Sequence, residues 1–339
     1  MMKKKLVTLA VLSALSGIAM AQSSVTLYGV ADVSVERIKG ATSQTRVTSG
    51  QLQGSRWGMR GSEDLGGGLS AVFQLESGFN IDNGASGQGG LLFGRQAYVG
   101  LAGNFGAVRL GRQYSPMDDI AGVIGTKTYD VLSRVPIIGN DEYNRVNNAI
   151  TYLSPAMNGL TLQAQYSLGE ERVATDASAD FGKQYSVSAL YQQGPWVAGG
   201  SYMSVIDANG TTAGQQDKNA MLLVGSYDFG TFKLSAYYDA EDKAAEKLKV
   251  MGLAAAFKLG ATTVSVGAAK AKNVNGSAAA MSDDATLYTL QASHDLSKRT
   301  ALYANLTTVN NDEAAALGFN SPVAGSSSNG MQLGIRHRF

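Results

Sequence analysis

Cysteine is absent from this chain of 339 residues. Without it there is no disulfide framework, no thiolate metal site and no cysteine nucleophile. Only two histidines occur, His294 and His337. No metal triad and no Ser-His-Asp relay can be proposed from them, so neither a cofactor nor an enzyme is expected. Proline is scarce, at 5 residues, while glycine reaches 41. That balance suits many uninterrupted strands joined by tight turns. Long apolar runs are missing too. Beyond the N-terminus nothing approaches the ~18 residues of a membrane-spanning helix, and the mean hydropathy of −0.06 is that of a soluble chain.

The one apolar stretch lies at the start. Lys3, Lys4 and Lys5 precede an apolar core, Leu6 to Ile18, and Ala19-Met20-Ala21 has the small-x-small form of a cleavage site. This predicts an export signal over residues 1–21 and a mature domain over residues 22–339. Removing the signal takes three of the 28 Lys+Arg and none of the 27 Asp+Glu, which leaves a net charge of −2. Bulk charge therefore gives no case for nucleic-acid binding. Gly66-Gly67-Gly68-Leu69-Ser70-Ala71 has the form of a dinucleotide fingerprint, but it precedes a strand pattern rather than a helix. Glu170-Glu171 and Asp283-Asp284 read as solvated loop acids, with cation binding as the lesser reading.

What the chain does have is alternation. Between Ser55 and Phe79, Trp57 and Met59 fall on one side and Arg56, Arg60 and Ser62 on the other. After a Gly-rich turn, Leu69, Ala71, Phe73 and Leu75 oppose Ser70, Gln74 and Glu76. A period of two marks strands with one apolar and one polar face. The pattern opens at Ser24–Glu36 and recurs in about sixteen runs of ~9–12 residues, the length a tilted strand needs to cross a bilayer. Short turns alternate with longer, mostly polar segments at 39–50, 80–90, 115–144, 169–183, 206–218, 241–247, 272–284 and 310–328.

Such an alternation of connections is what an up-and-down barrel with two unlike ends produces. One strand face is rich in Ala, Val, Leu and Tyr, the other in Gln, Ser, Thr, Arg and Asp. The second face cannot be a packed core. The reading is an all-β, 16-stranded antiparallel transmembrane β-barrel, apolar face outward in lipid and polar face lining water. The last run, Asn329–Phe339, is left to pair with the first, which closes the sheet and removes its edges. Its alternate apolar residues and terminal Phe339 resemble the outer-membrane assembly signal of bacterial barrels.

Ser-Val-Thr-Leu-Tyr-Gly-Val-Ala-Asp at 24–32, Ser-Arg-Trp-Gly-Met-Arg-Gly-Ser-Glu-Asp-Leu-Gly-Gly-Gly at 55–68 and Arg-Gln-Ala-Tyr-Val-Gly-Leu at 95–101 form one set of motifs. Val-Arg-Leu-Gly-Arg-Gln-Tyr-Ser-Pro at 108–116, Leu-Ser-Lys-Arg-Thr-Ala-Leu-Tyr at 296–303 and the closing Arg336-His337-Arg338-Phe339 form another. Together they resemble general porins of Gram-negative outer membranes, of the beta-proteobacterial and neisserial type, over essentially the whole mature chain. The resemblance implies a homotrimer in the cell outer membrane, with short periplasmic turns and long extracellular loops. Its partners would be membrane lipid and lipopolysaccharide, the outer-membrane assembly machinery, and small hydrophilic solutes and ions. It also implies an inward-folded third loop that narrows the pore, and this maps onto 115–144, the longest connection.

The family narrows its pore between wall arginines and loop acids. Arg56 and Arg95 match the wall positions in the second and fourth strands, and Arg145 opens the sixth, where a third is expected. Asp118 and Asp119 are the loop acids, with Asp130 a second candidate. The acid-plus-glycine motif of enterobacterial relatives is absent, so which carboxylate faces the arginines stays open. By alternation Arg60 and Arg109 join the inward face.

A charge facing lipid near the midplane costs about 2–4 kcal/mol, so water is the cheaper surrounding for these arginines. Opposed charges across a narrow aqueous gap set up a transverse field that favours polar solutes. The alternative is that the arginines pair with wall carboxylates such as Asp32 and Glu76 and fill the lumen. Tyr98, Tyr166, Tyr185, Tyr191, Tyr202, Tyr227 and Tyr288 are expected outward, as an interfacial girdle.

The function expected is general diffusion of ions and small hydrophilic solutes, with a mild anion preference. A solute-specific channel would need an aromatic slide or a denser basic cluster, and Trp57 and Trp196, the only tryptophans, are expected to face lipid. A non-conducting barrel acting as an adhesin or structural protein is the remaining alternative.

Overall fold

The computed structural model describes residues 24–124, 145–169, 182–206, 218–243, 246–272 and 283–339. The expected export signal over residues 1–21 and the loop acids Asp130, Glu170 and Glu171 lie outside them. The first strands are β1 (Ser24–Lys39), β2 (Ser43–Ser49), β3 (Arg56–Gly66), β4 (Leu69–Gly78), β5 (Gln96–Gly103) and β6 (Gly106–Tyr114). A helix, α1 (Pro116–Val123), follows β6. Then come β7 (Arg145–Leu153), β8 (Leu160–Ser167), β9 (Gln184–Gln193), β10 (Trp196–Val205), β11 (Lys218–Asp228) and β12 (Phe232–Lys243). The last five are β13 (Glu246–Leu259), β14 (Thr262–Lys272), β15 (Ala285–Asp295), β16 (Thr300–Asn311) and β17 (Ser328–Arg338).

All pairings are antiparallel, and β17 returns to β1, from Lys39↔Asn329 to Val30↔Arg338. The sheet is closed. Seventeen strands make sixteen staves because β2 and β3 share one edge of β1. Ser43–Ser49 pairs with Val33–Lys39, and Arg56–Ser62 with Ser24–Val30. Asp32 spans the break between them. Its carboxylate accepts from the backbone N–H of Gln51 (3.1 Å) and Gln53 (3.0 Å), and its carbonyl from the Ser55 hydroxyl (3.0 Å).

The wall is inverted relative to a soluble protein. Leu27 (62%), Val99 (60%) and Leu253 (60%) are exposed outward, while Asp32 is fully buried and Glu36, Gln165 and Gln332 nearly so. Lipid is the solvent such a surface matches, because no backbone group of a closed barrel is left unpaired in it. The connections 39–50 and 241–247, expected as long loops, are largely strand: β2 occupies the first, and β12 and β13 pair as far as Lys243↔Glu246 in the second. Above the lipid zone these segments lose the apolar face that marks a strand in sequence, yet the backbone ladder continues.

Three tyrosines lock neighbouring staves from inside. Tyr28, Tyr237 and Tyr303 face Gly58, Gly252 and Gly334 across the ladder. A Cβ on Gly252 or Gly334 would overlap the facing ring, and one on Gly58 would sit 2.9 Å from the Tyr28 hydroxyl. With no side chain in the way, two of the phenols reach beyond their partner strand. Tyr28 donates to Glu76 of β4 and Tyr303 to Asp32 of β1, each at 2.8 Å.

The third long connection folds inward. Ser115 caps α1, accepting from the Asp118 N–H at 3.0 Å, Pro116 fills the first turn, and Asp118 and Asp119 meet the positive end of the helix. Met117, Ile120, Ala121 and Ile124 join a cluster with Met203, Leu222 and Val224, against which Leu190 packs. These partners lie on the inner wall of β9–β11, so the loop crosses the lumen from β6 and anchors on apolar contacts.

Candidate functional site

The arginine wall is built by adjacent staves from β3 to β7. Arg56 and Arg60 share a face of β3, Arg95 stands just before β5, Arg109 lies on β6 and Arg145 opens β7. Glu76 of β4 sits among them. It accepts from Arg95 Nε at 2.7 Å, lies 3.9 Å from Arg56 Nε, and takes the Tyr28 hydroxyl on its other oxygen. Arg95 is 7% exposed, and its other end donates to the Tyr114 hydroxyl at 2.5 Å.

The remaining arginines lean on aromatic faces. The guanidinium carbon of Arg60 lies 5.2 Å from the centre of the Tyr28 ring, that of Arg109 lies 5.0 Å from Tyr98, and that of Arg145 lies 4.8 Å from Tyr114. A tyrosine face attracts the cation without neutralising it. Among the described residues, Arg60, Arg109 and Arg145 make no ion pair within 4.0 Å. Pairing with wall carboxylates thus accounts for Arg56 and Arg95 but not for the other three. Among the described residues, Asp32 pairs with no arginine. It is taken up by the β2–β3 break and by Tyr303.

Asp118 and Asp119 face this wall from α1. Asp118 acts electrostatically on Arg95 and Asp119 on Tyr98, and Asp119 Oδ2 accepts from Gln163 Nε2 at 3.2 Å. Between the wall and the helix lies a polar cavity of about 190 Å³, bounded by Gln74, Gln96, Tyr98, Arg109, Asp119 and Gln163. Charges of both signs therefore line one narrow passage, with the cations concentrated on one side.

Tyr98 is a correction to the sequence reading. Expected outward, it faces the lumen, under Arg109 and donating to Gln74 Oε1 at 3.1 Å. The cause is local. β5 begins at Gln96, so Arg95 stands outside its alternation and cannot set its phase. Val99 and Leu101, exposed within the strand, are the signal that places Tyr98 on the polar side. Tyr28 and Tyr114, the other two platforms, carry no mark in the sequence, because a tyrosine fits either face of such a wall. Arg112 leaves the sequence of arginines. A bulge between Gly111 and Gln113 turns it to the Gly94 carbonyl (2.8 Å) and to Asn147.

The outer surface carries the remaining aromatics. Tyr166, Tyr185, Tyr191, Tyr202 and Tyr288 are exposed. At the short-turn end Trp196 and Tyr227 meet edge-on at 4.5 Å, and Tyr227, Phe229, Phe232 and Phe257 continue the row. Phe339 follows β17, its backbone exchanging two hydrogen bonds with Gly29.

The sequence profile of the Gram-negative porin family matches residues 8–314. Outer membrane porin protein 32 of Delftia acidovorans is 36% identical over the full length of both chains. An outer membrane porin protein of Bordetella pertussis is 32% identical, again over the full length of both. The solved anion-selective porin from Comamonas acidovorans superposes with a TM-score of 0.80 at 30% identity, covering 94% of this chain and 100% of that one. An inverted, closed barrel with a charged, loop-narrowed lumen and these relatives lead to one conclusion: the chain belongs to the Gram-negative porin family and forms a channel of the outer membrane.

Proposed function

We propose that this porin is a homotrimeric general diffusion channel for ions and small hydrophilic solutes, with a mild preference for anions. One observation carries the preference. A single carboxylate, Glu76, serves Arg56 and Arg95, while Arg60, Arg109 and Arg145 stay cationic on tyrosine faces. A unit charge ~8 Å away in water-like surroundings contributes about 0.5 kcal/mol. Three such charges, partly offset by Asp118 and Asp119 and screened over about 8 Å at physiological salt, favour an anion several-fold rather than absolutely. The anion selectivity named for the Comamonas acidovorans porin agrees in sign.

Breadth follows from the lining. Gln74, Gln96 and Gln163 offer donors and acceptors without a shaped apolar slot, and Trp196 lies on the exposed outer wall. Liposome swelling with glucose, glucuronate and glucosamine separates these claims. All three sugars should enter without saturation, glucuronate fastest and glucosamine slowest. Saturable entry of one sugar, or the reverse order of the charged pair, would contradict the proposal.

A further inference from the structure

The three unneutralised arginines are not held alike. Arg145 leans on Tyr114 and also donates to its hydroxyl at 3.2 Å. Arg60 leans on Tyr28, whose ring sits against Gly58 and whose hydroxyl donates to Glu76. Arg109 has less. Its Nε is buried and, among the described residues, finds no hydrogen-bond partner, so its place rests on the Tyr98 face. Tyr98 in turn has no side chain directly opposite it on β6. Gly111 pairs with it there, where a Cβ would overlap the Ala97 carbonyl oxygen. Among the described residues the Tyr98 hydroxyl has one hydrogen-bond partner, Gln74.

Gln74 stands where it can serve both sides. On β4 it lies directly opposite Tyr98 of β5 and directly opposite Arg60 of β3. Its Nε2 donates to the Tyr28 hydroxyl at 2.6 Å, and its Oε1 accepts from the Tyr98 hydroxyl at 3.1 Å. The direction of each bond is fixed. Tyr28 gives its proton to Glu76, so toward Gln74 it only accepts. The amide therefore turns its N–H to Tyr28 and leaves Oε1 for Tyr98. A glutamate here would bring no donor to Tyr28, and a leucine would bind neither phenol. A directed chain thus runs from Tyr98 through Gln74 and Tyr28 to Glu76, and its outer end is the face that carries Arg109.

We propose, on the channel reading above, that Gln74 is a positioning residue for ion selectivity: through Tyr98 it holds the Arg109 guanidinium on the wall and away from Asp119. Arg109 and Asp119 border the same polar cavity. A Tyr98 ring released from Gln74 turns about its side-chain torsions. Arg109 then loses its platform and swings toward the carboxylate, and the passage loses the open charge of one cation. Gln74 has no charge of its own to add to the field, so it acts on selectivity through where Arg109 stands.

A double-mutant cycle tests this, read as the anion-to-cation permeability ratio of the full-length protein in planar bilayers under a KCl gradient. Withdrawing one open charge at ~8 Å changes that ratio about twofold at most. Gln74→Leu should lower it about 1.5-fold, and Arg109→Gln, which removes the charge outright, about twofold. In the Arg109→Gln background, Gln74→Leu should change nothing further. A side chain that merely stiffens the wall would act equally in both backgrounds. Tyr98→Phe keeps the ring and removes only the hydroxyl. It should repeat the Gln74→Leu shift, and it carries the test if Gln74→Leu fails to assemble. Each shift is read against the wild type, so its failure is distinct from a wild type that prefers cations. An unchanged ratio in Gln74→Leu or Tyr98→Phe, or an equal fall with and without Arg109, would overturn the proposal.

Discussion

Glu76 accepts from Arg95 and Tyr28 and lies beside Arg56, so one carboxylate sets both the charge and the rigidity of the wall. Replacing it by Gln leaves two guanidiniums uncompensated. Breaking a buried pair costs about 3–5 kcal/mol, an upper bound beside lumen water. The Glu76→Gln unfolding midpoint in detergent should fall while anion preference rises. Tyr28→Phe, which removes the hydrogen bond donated to Glu76 and the one accepted from Gln74 but no charge, should cost about 1–3 kcal/mol and leave selectivity unchanged. Gly58→Ala should cost about 1–3 kcal/mol, since the added methyl meets Leu75 O at 2.7 Å and displaces the Tyr28 ring. At this scale the inward direction of Arg56, Arg60 and Arg109 was legible, because arginine inside a strand has one cheap face in a membrane. The tyrosine platforms were not, since a phenol is stable in lipid headgroups and lumen alike.

The third-loop helix is held across the lumen by Met117, Ile120, Ala121 and Ile124 rather than by charge. Ile120→Ala should weaken its docking by about 2–4 kcal/mol, and single-channel records should show noisier current, with the barrel still closed. The loop was legible by its length. The helix was marked only by Ser115-Pro116-Met117-Asp118, a cap followed by proline and an acid, too short a signal to stand out in a chain read for alternation. The short turn after β11 carries a pH dependence of its own. Asp228 is held below the usual carboxylate range by the Gly230 N–H and by Lys258. A carboxylate lowered on folding stabilises the fold above its unfolded value, near pH 4, and that contribution is lost as pH falls through the lowered value. Asp228→Asn should therefore flatten the acid side of the unfolding midpoint measured against pH.

Across the whole molecule, sixteen staves close through β17 and β1, with apolar side chains outward and mostly polar ones inward, apart from apolar wall residues such as Met203, Leu222 and Val224 under the third loop. That architecture was legible because most staves repeat one rule, although β11 is apolar on both faces, with Leu222 and Val224 buried and Met221 and Leu223 exposed. Closure itself follows from the leftover last run having only the first run to pair with. The β2–β3 break was not legible, because Asp32 holds it through backbone groups that no sequence pattern displays. The central claim is that unneutralised arginines on tyrosine faces give this open channel its sign. The reversal potential in a tenfold KCl gradient across a planar bilayer tests it most directly. The wild type should favour chloride several-fold, Glu76→Gln should favour it more, and Arg60→Gln/Arg109→Gln should approach no preference. A cation-selective wild type, or a double variant with unchanged reversal potential, would contradict the account.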